Sequence, residues 1–177
     1  MTAESDTPAE PNASSAEGVS VQDENTFQML AQYVKDLSFE APNTPQIFGA
    51  MQEGTPDIKV NVDVRANQIQ SEGYEVILQI NAECKAGDKS AFILELVYGG
   101  LVRTNLTPET LRPALLIETP RNLFPFARNI VSDVTRDGGF QPLMLAPMDF
   151  VTMYEQNLKN AQAAGPQASD AMPPADA

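Results

Sequence analysis

The sequence contains no histidine, no tryptophan and a single cysteine among its 177 residues. Without histidine the chain cannot build a Ser-His-Asp or Cys-His nucleophile, and it lacks the commonest general base and metal ligand. The lone cysteine, Cys84, excludes an internal disulfide and any paired-cysteine zinc or redox site. Phosphate-binding loops, nucleophile elbows, zinc-protease helices and EF-hand loops are also missing from the sequence. We therefore expect a protein that is not an enzyme and that binds no cofactor or metal.

Basic residues are scarce, because 11 Lys and Arg stand against 24 Asp and Glu, for a formal charge of −13. This balance argues against binding to a nucleic-acid backbone or to an anionic membrane surface. Long hydrophobic runs are absent as well, and residues 1–24 contain six acidic residues, no base and no apolar stretch of a secretory signal. We expect a soluble, cytoplasmic protein with no nucleic-acid partner and no direct membrane insertion.

The two ends differ from the middle in composition. Residues 1–24 and 160–177 are rich in Ala, Pro, Ser and acidic residues, and they have few bulky apolar residues to offset the entropy of ordering. We predict two disordered tails, the first of them strongly acidic. They hold eight of the 24 acidic residues, which leaves 16 acidic against 11 basic residues in a single domain over residues 25–159.

The first half of this domain alternates apolar and polar residues, as half-buried strands do. The odd positions from Phe27 to Phe39 are mostly apolar, and three further strands are predicted at Ile58–Ala66, Tyr74–Cys84 and Ser90–Tyr98. Turn residues such as Ser71-Glu72-Gly73 connect them closely. Short connections without helices predict an antiparallel meander.

The second half changes to a helical period. Thr107-Pro108-Glu109 predicts a helix start and Thr119-Pro120 its end, and a second helix is expected from Pro125 to Arg136. The prolines of residues 140–147 forbid a helix there, and the last helix is expected to begin near Asp149. The class is therefore α+β, a four-stranded antiparallel sheet followed by two or three amphipathic helices. The chain offers more apolar surface than one sheet covered by these helices can bury, and this excess predicts a homo-oligomer.

Candidate binding residues remain ambiguous from patterning alone. Asp36 and Glu40 share one face of a strand but stand about 13 Å apart, too far for a catalytic pair, so a solvated face is expected. Cys84 falls on the apolar phase of its strand and is interpreted as a small buried hydrophobe. The aromatic residues, with several methionines, suit either the core or a shallow apolar groove for the side chains of other proteins. The pattern does not show which of these aromatic residues belong to the core and which to a groove: Phe27, Tyr33, Phe39, Phe48, Phe124, Phe126, Phe140 and Phe150.

Three blocks of sequence resemble the SecB family of bacterial protein-export chaperones: Tyr33–Pro45 (YVKDLSFEAPNTP), Pro120–Arg128 (PRNLFPFAR) and Leu143–Phe150 (LMLAPMDF). Matches extend in order over about residues 27–158. The resemblance implies a homotetramer, a dimer of dimers with sheets outside and helices between, without catalysis or nucleotide. Such a protein would hold unfolded precursor proteins in an export-competent state and deliver them to SecA, the translocation ATPase.

The resemblance also implies two sets of site residues. Asp36, Glu40, Ile93 and Glu95 match positions through which the family docks on SecA. Groove-lining positions that would hold unfolded clients are matched by Phe27, Phe39, Phe48, Phe124, Phe126, Leu143 and Leu145. The chain departs from some relatives because it lacks a tryptophan in the Phe48–Asp57 loop, where Met51 is expected to replace part of the contact.

Two other functions compete with this hypothesis. A homo-oligomeric scaffold or adaptor would use its apolar surface for one partner, and it would not suppress the aggregation of unrelated unfolded proteins. An acid–base enzyme using Asp and Glu would need a pocket in which the pKa values of two carboxyls are pushed apart.

Overall fold

The computed structural model describes residues 26–163 and confirms the α+β class. The predicted tail over residues 1–24 lies outside that range, as does most of the predicted tail over residues 160–177, whose first four residues belong to the last helix. The strands are β1 (Phe27–Glu40), β2 (Asp57–Gln68), β3 (Gly73–Ala86) and β4 (Lys89–Thr104). The helices are α1 (Ile47–Glu53), α2 (Pro108–Pro113), a π-helical turn (Ala114–Glu118), α3 (Thr119–Asp137) and α4 (Phe150–Ala163).

The four strands form one antiparallel sheet in the order β1-β4-β3-β2. Strands β2, β3 and β4 are joined by short hairpins, but β1 lies beside β4 at the opposite edge from β2. The predicted meander is therefore wrong, and the arrangement is a Greek key. The cause is the connection after β1, where Pro42 and Pro45 end the strand and α1 carries the chain across to the far edge.

Strand β1 contains two β-bulges. One falls between Met29 and Ala31 and the other between Val34 and Asp36, so that 14 residues of β1 face only 12 residues of β4. Each bulge reverses which side chains point to which face. The prediction that all odd positions share one face is therefore wrong for Ala31 and Tyr33, which lie on the side opposite Phe39.

The helix expected to stop at Thr119-Pro120 instead continues, and residues 108–137 form one unbroken helical stretch. The π-helical turn at Ala114–Glu118 explains the difference. Its wider turn leaves space for the Pro120 ring, and the Thr119 hydroxyl donates a hydrogen bond to the carbonyl of Ala114 at 3.0 Å. The predicted start of the last helix near Asp149 is confirmed. The Asp149 carboxylate accepts hydrogen bonds from the backbone N–H groups of Val151 and Thr152, at 3.1 Å each, and so caps the helix.

The core lies between the helical layer and the middle of the sheet. Most fully buried side chains come from β3, β4 and α3, among them Leu78, Ile80, Leu94, Leu96, Leu123 and Val131. Gly100 lets α3 approach closely, since a Cβ there would stand 2.9 Å from Leu123. The helices do not cover the flanks of the sheet, where Val34 and Leu37 on β1 and Ile58 and Val60 on β2 are 39–46% exposed.

Candidate functional site

The sheet surface turned away from the helices, here called the outer face, brings together the four residues of the predicted SecA-docking set. Glu40 of β1 is paired with Ile93 of β4, and Ser38 is paired with Glu95. Asp36 follows on the same side of β1, paired with Val97. Directly paired residues of antiparallel strands share a face, so Asp36, Glu40, Ile93 and Glu95 form one continuous patch.

The charge of this patch is uncompensated. Among the described residues, the carboxylates of Asp36, Glu40 and Glu95 form no ion pair, and all three side chains are exposed. Four basic side chains of β1, β2 and β3 instead contact other acids: Lys35 contacts Glu75, Arg65 contacts Asp63 and Lys85 contacts Glu83 at 2.8–2.9 Å, and Lys59 contacts Asp57 more loosely at 4.0 Å. The outer face therefore presents a local excess of negative charge to an approaching partner.

A polar cluster beside this patch ties β1 to β3 across β4. The Tyr33 phenol donates a hydrogen bond to Glu75 at 2.5 Å, and the Lys35 ammonium contacts both oxygens of the same carboxylate at 2.8 Å. These bonds, first that from Lys35 and then that from Tyr33, lower the pKa of Glu75. Burial, followed by the bond to Glu75 and its charge, raises the pKa of Tyr33 to about 12. The ring passes over Gly99, which has no Cβ to obstruct it.

On the other side of the sheet, at the end near α1, lies an apolar cavity of about 390 Å³, here called the aromatic groove. Its walls come from α1, from the start of β2 and from the segment after α3. The lining residues include Phe48, Met51, Ile58, Cys84, Phe92, Phe140, Pro142 and Leu143.

Phe140 is the centre of the aromatic cluster in this groove. Its ring centroid lies 5.1 Å from Phe92, 5.2 Å from Phe48 and 6.2 Å from Phe39. Such tilted and edge-on contacts are favourable beyond the area that they bury. Phe140 is only 7% exposed, so the cluster gives the groove a rigid floor beneath an open rim.

Two glycines at the end of α3 make this packing possible. Gly138 sits against the Phe39 ring, where a Cβ would approach to 2.5 Å. Gly139 has a φ of +87°, a conformation that side chains disfavour, and it faces the ring of Phe48. The chain therefore leaves α3 sharply enough to place residues 140–147, here called the strap, along one wall of the groove.

The structure divides the predicted groove set. Phe48 and Leu143 line the groove and Phe39 packs behind it. Phe124 and Leu145 lie in the core at 7% and 6% exposure, with Phe124 packed against Phe150 at 5.8 Å. Phe27 lies at the far end of β1, and Phe126, 52% exposed, borders a separate surface with Met29 and Leu30.

Sequence reasoning missed the contributions of Ile58 and Cys84 to the groove. The sequence places both residues on the apolar phases of neighbouring strands, and it does not show that α1 and the strap form a cavity over the pair that they make across β2 and β3. Cys84 is buried, as predicted, and its burial, followed by the charge of Asp57, raises the pKa of its thiol. The predicted loop over residues 48–57 is mostly helix α1, from which Met51 does reach the groove.

Within residues 26–163 no three Cys, Asp or Glu side chains gather where they could hold a metal ion. In the same range no helix has the length and apolar character needed to cross a lipid bilayer.

Comparison with known proteins places the chain in a family. Residues 20–161 match the family model of SecB, described as preprotein translocase subunit SecB. The protein-export protein SecB of Paramagnetospirillum magneticum is 49% identical over 142 residues, covering 77% of this chain and 92% of that protein. The corresponding protein of a Bradyrhizobium species is 51% identical over 139 residues, covering 78% and 85%.

A solved structure shows the same fold. It is a SecB-like chaperone of Mycobacterium tuberculosis in complex with a peptide from the HigA1 antitoxin. The TM-score is 0.50 at 18% identity, over 69% of this chain and 90% of that one.

The Greek-key sheet, its helical layer and these relatives together place the chain in the class of protein-export chaperones. The chain belongs to the SecB family.

Proposed function

We propose that the chain holds unfolded precursor proteins in an export-competent state in the cytoplasm and delivers them to the SecA translocation ATPase. We propose further that it does so without catalysis. The observation that carries the proposal is the pairing of two different surfaces on one sheet, an aromatic groove on one side and an uncompensated acidic patch on the other. Client and partner can then bind at the same time.

The aromatic groove suits extended apolar segments of unfolded clients. It is open at the rim, has no buried charge in its lining, and includes the flexible thioether of Met51. A client side chain of Leu or Phe size that becomes fully buried contributes about 1.5–3 kcal/mol. Several such contacts support useful affinity without reading a particular sequence.

Truncating the groove wall tests this part of the proposal. We expect Phe48→Ala and Leu143→Ala each to weaken the capture of a permanently unfolded, reduced and alkylated model protein in a fluorescence titration. Phe126→Ala is the matched control, because it removes an exposed ring away from the groove. If both groove variants fold, assemble and bind the unfolded protein normally, the groove assignment is wrong. If Phe126→Ala weakens capture as much, clients use a different surface.

The acidic patch suits a basic, flexible segment of SecA. Opposite charges steer such an encounter, and salt screens it. We expect Glu95→Lys and Asp36→Ala to weaken SecA binding in calorimetry at two salt concentrations, while client capture is kept. Asp133→Ala on α3 is the control for Asp36→Ala, since it removes the same single charge from the helical layer. Unchanged SecA affinity in Glu95→Lys would contradict the docking assignment and leave the chaperone proposal standing.

A homotetramer, a dimer of dimers, completes the proposal. The uncovered flanks of the sheet, with exposed apolar side chains on β1 and β2, are surfaces that association would bury. Sedimentation equilibrium should give about 77 kDa, the mass of four 19.2 kDa chains. A stable monomer at micromolar concentration would remove this part of the proposal, whereas dissociation to dimers would not.

A further inference from the structure

The strap that forms one wall of the aromatic groove has little regular structure to hold it. Pro142 and Pro147 keep residues 140–147 out of a helix, and these residues join no strand of the sheet. Phe140 and Leu145 anchor it by burial, at 7% and 6% exposure. Between these anchors, Leu143 must be placed by something other than secondary structure.

Thr135 of α3 supplies that placement. Within the described part of the chain, the strap donates two backbone hydrogen bonds, and both are accepted by Thr135. The Phe140 N–H donates to the Thr135 carbonyl at 3.1 Å. The Leu143 N–H donates to the Thr135 hydroxyl oxygen at 2.9 Å.

The Thr135 hydroxyl is itself oriented by α3. It donates a hydrogen bond that the carbonyls of Val131, at 2.9 Å, and Ser132, at 3.0 Å, share as acceptors. Its proton is therefore directed into the helix and a lone pair remains for the strap. Thr135 is 0% exposed, so water cannot easily take its place if the hydroxyl is lost.

We infer that Thr135 is a positioning residue for client binding, whose hydroxyl sets the width of the aromatic groove by fixing Leu143. The inference rests on the proposed function, because it assigns Thr135 to the same groove. Thr135 touches no client. It acts through Leu143, which lines the groove.

Thr119 offers a matched control on the same helix. It is also 0% exposed, and its hydroxyl also donates to a carbonyl of the preceding turn, that of Ala114. No strap residue donates to it among the described residues. Thr119→Val and Thr135→Val thus remove the same chemical group from two buried sites of one helix, and only Thr135→Val releases the strap.

The test measures three quantities on the full chain: urea unfolding, exchange of the Leu143 amide proton, and affinity for a reduced and alkylated unfolded protein. In Thr135→Val we expect faster Leu143 exchange and affinity weaker by about fivefold, the scale of one hydrogen bond. Thr135→Ser, which keeps the hydroxyl, should restore both. Thr119→Val should lower stability and leave Leu143 exchange and affinity unchanged. Thr135→Ala, which also lacks the hydroxyl, replaces Thr135→Val if that variant does not fold.

Three results in the variants would overturn the inference. If Thr135→Val exchanges its Leu143 amide proton at the wild-type rate and binds unfolded protein with wild-type affinity, burial of Phe140 and Leu145 alone holds the strap. Failure of Thr135→Ser to restore affinity would assign the effect to side-chain volume. An equal loss of affinity in Thr119→Val would assign it to general destabilisation. If the wild-type chain itself captures no unfolded protein, the proposed function fails and the groove role of Thr135 fails with it.

Discussion

The contact between Tyr33 and Gly99 on the outer face allows a quantitative test by a double-mutant cycle. A Cβ added at Gly99 would stand 2.7 Å from two carbon atoms of the Tyr33 ring, whereas ordinary contacts begin near 3.4 Å. The ring must therefore retreat by about 0.7 Å, the difference between those distances. That movement disturbs the 2.5 Å hydrogen bond from the phenol to Glu75.

Two terms set the magnitude of the effect. Overpacking costs about 1–3 kcal/mol, and a hydrogen bond to a charged group contributes about 1.5–3 kcal/mol, less here because the site is partly solvated. We expect Gly99→Ala to lower the free energy of unfolding by about 2 kcal/mol. In a Tyr33→Ala background the obstacle is gone. The same substitution should then be neutral or stabilising by up to about 1 kcal/mol, because alanine restricts the unfolded chain.

Urea unfolding followed by far-UV circular dichroism measures all four members of the cycle. All are compared at one protein concentration, because the proposed association would contribute to stability. Gly100→Ala is the control, since a Cβ there meets Leu123 on the helical side of the sheet. Its cost should be the same with and without Tyr33. An equal cost of Gly99→Ala in both backgrounds would refute the argument, because the ring would then not be the obstacle.

Four further predictions concern titration, capping and reactivity. The pKa of Tyr33 is about 12 in the fold against 10.0 for the free group. The stabilising contribution of the neutral phenol is therefore complete below about pH 10 and is lost as pH rises through 12. Tyr33→Phe should flatten the alkaline limb of a curve of stability against pH. The lowered pKa of Glu75 means that its carboxylate stabilises the fold above the ordinary pKa of 4.5, and that this stabilisation is lost as pH falls through the lowered value. Glu75→Gln should remove this loss of stability from the acid limb of the same curve. Asp149→Ala should fray the start of α4, seen as faster amide exchange at Thr152, and Asp149→Asn should restore part of the protection. Cys84, buried and with a raised thiol pKa, should react with a thiol reagent at pH 8 only as fast as the chain opens, so urea should accelerate labelling steeply.

Strand β4 was predicted from a run that is apolar on both sides between Ser90 and Tyr98. Alternation of apolar and polar residues was sufficient to predict β2 and β3, because the two kinds of residue follow each other along each strand. It also placed Asp36 and Glu40 correctly opposite Phe39, since no bulge lies between them. The strand order was not predictable in this way, because pairing of β1 with β4 depends on contacts far apart in sequence. Helix α1 was missed because its seven residues are too few for a helical period to show.

The site was predicted less completely than the fold. The resemblance named Phe48 and Leu143, which do line the groove, together with Phe124 and Leu145, which the structure buries. Sequence pattern does not separate an aromatic side chain in a core from one in a groove, because both need apolar surroundings. Only the crossing of α1 over the sheet and the turn at Gly139 decide which rings face the opening.

The paired bulges of β1 have a consequence for how this strand can change during evolution. Side chains on the helical side are Phe27 and Met29, then Gln32 and Val34, then Leu37 and Phe39, so the parity of inward positions reverses at the first bulge and returns at the second. Each bulge holds one residue without a partner on β4, so deleting that residue restores regular pairing and leaves the side chains on both flanks on their present faces. A deletion within a regularly paired part of β1 would instead shift one flank by one residue and turn its side chains over, unless a bulge disappears with it. Single deletions in this strand should therefore be tolerated where a bulge is lost with them, and the two bulges should be lost independently of each other.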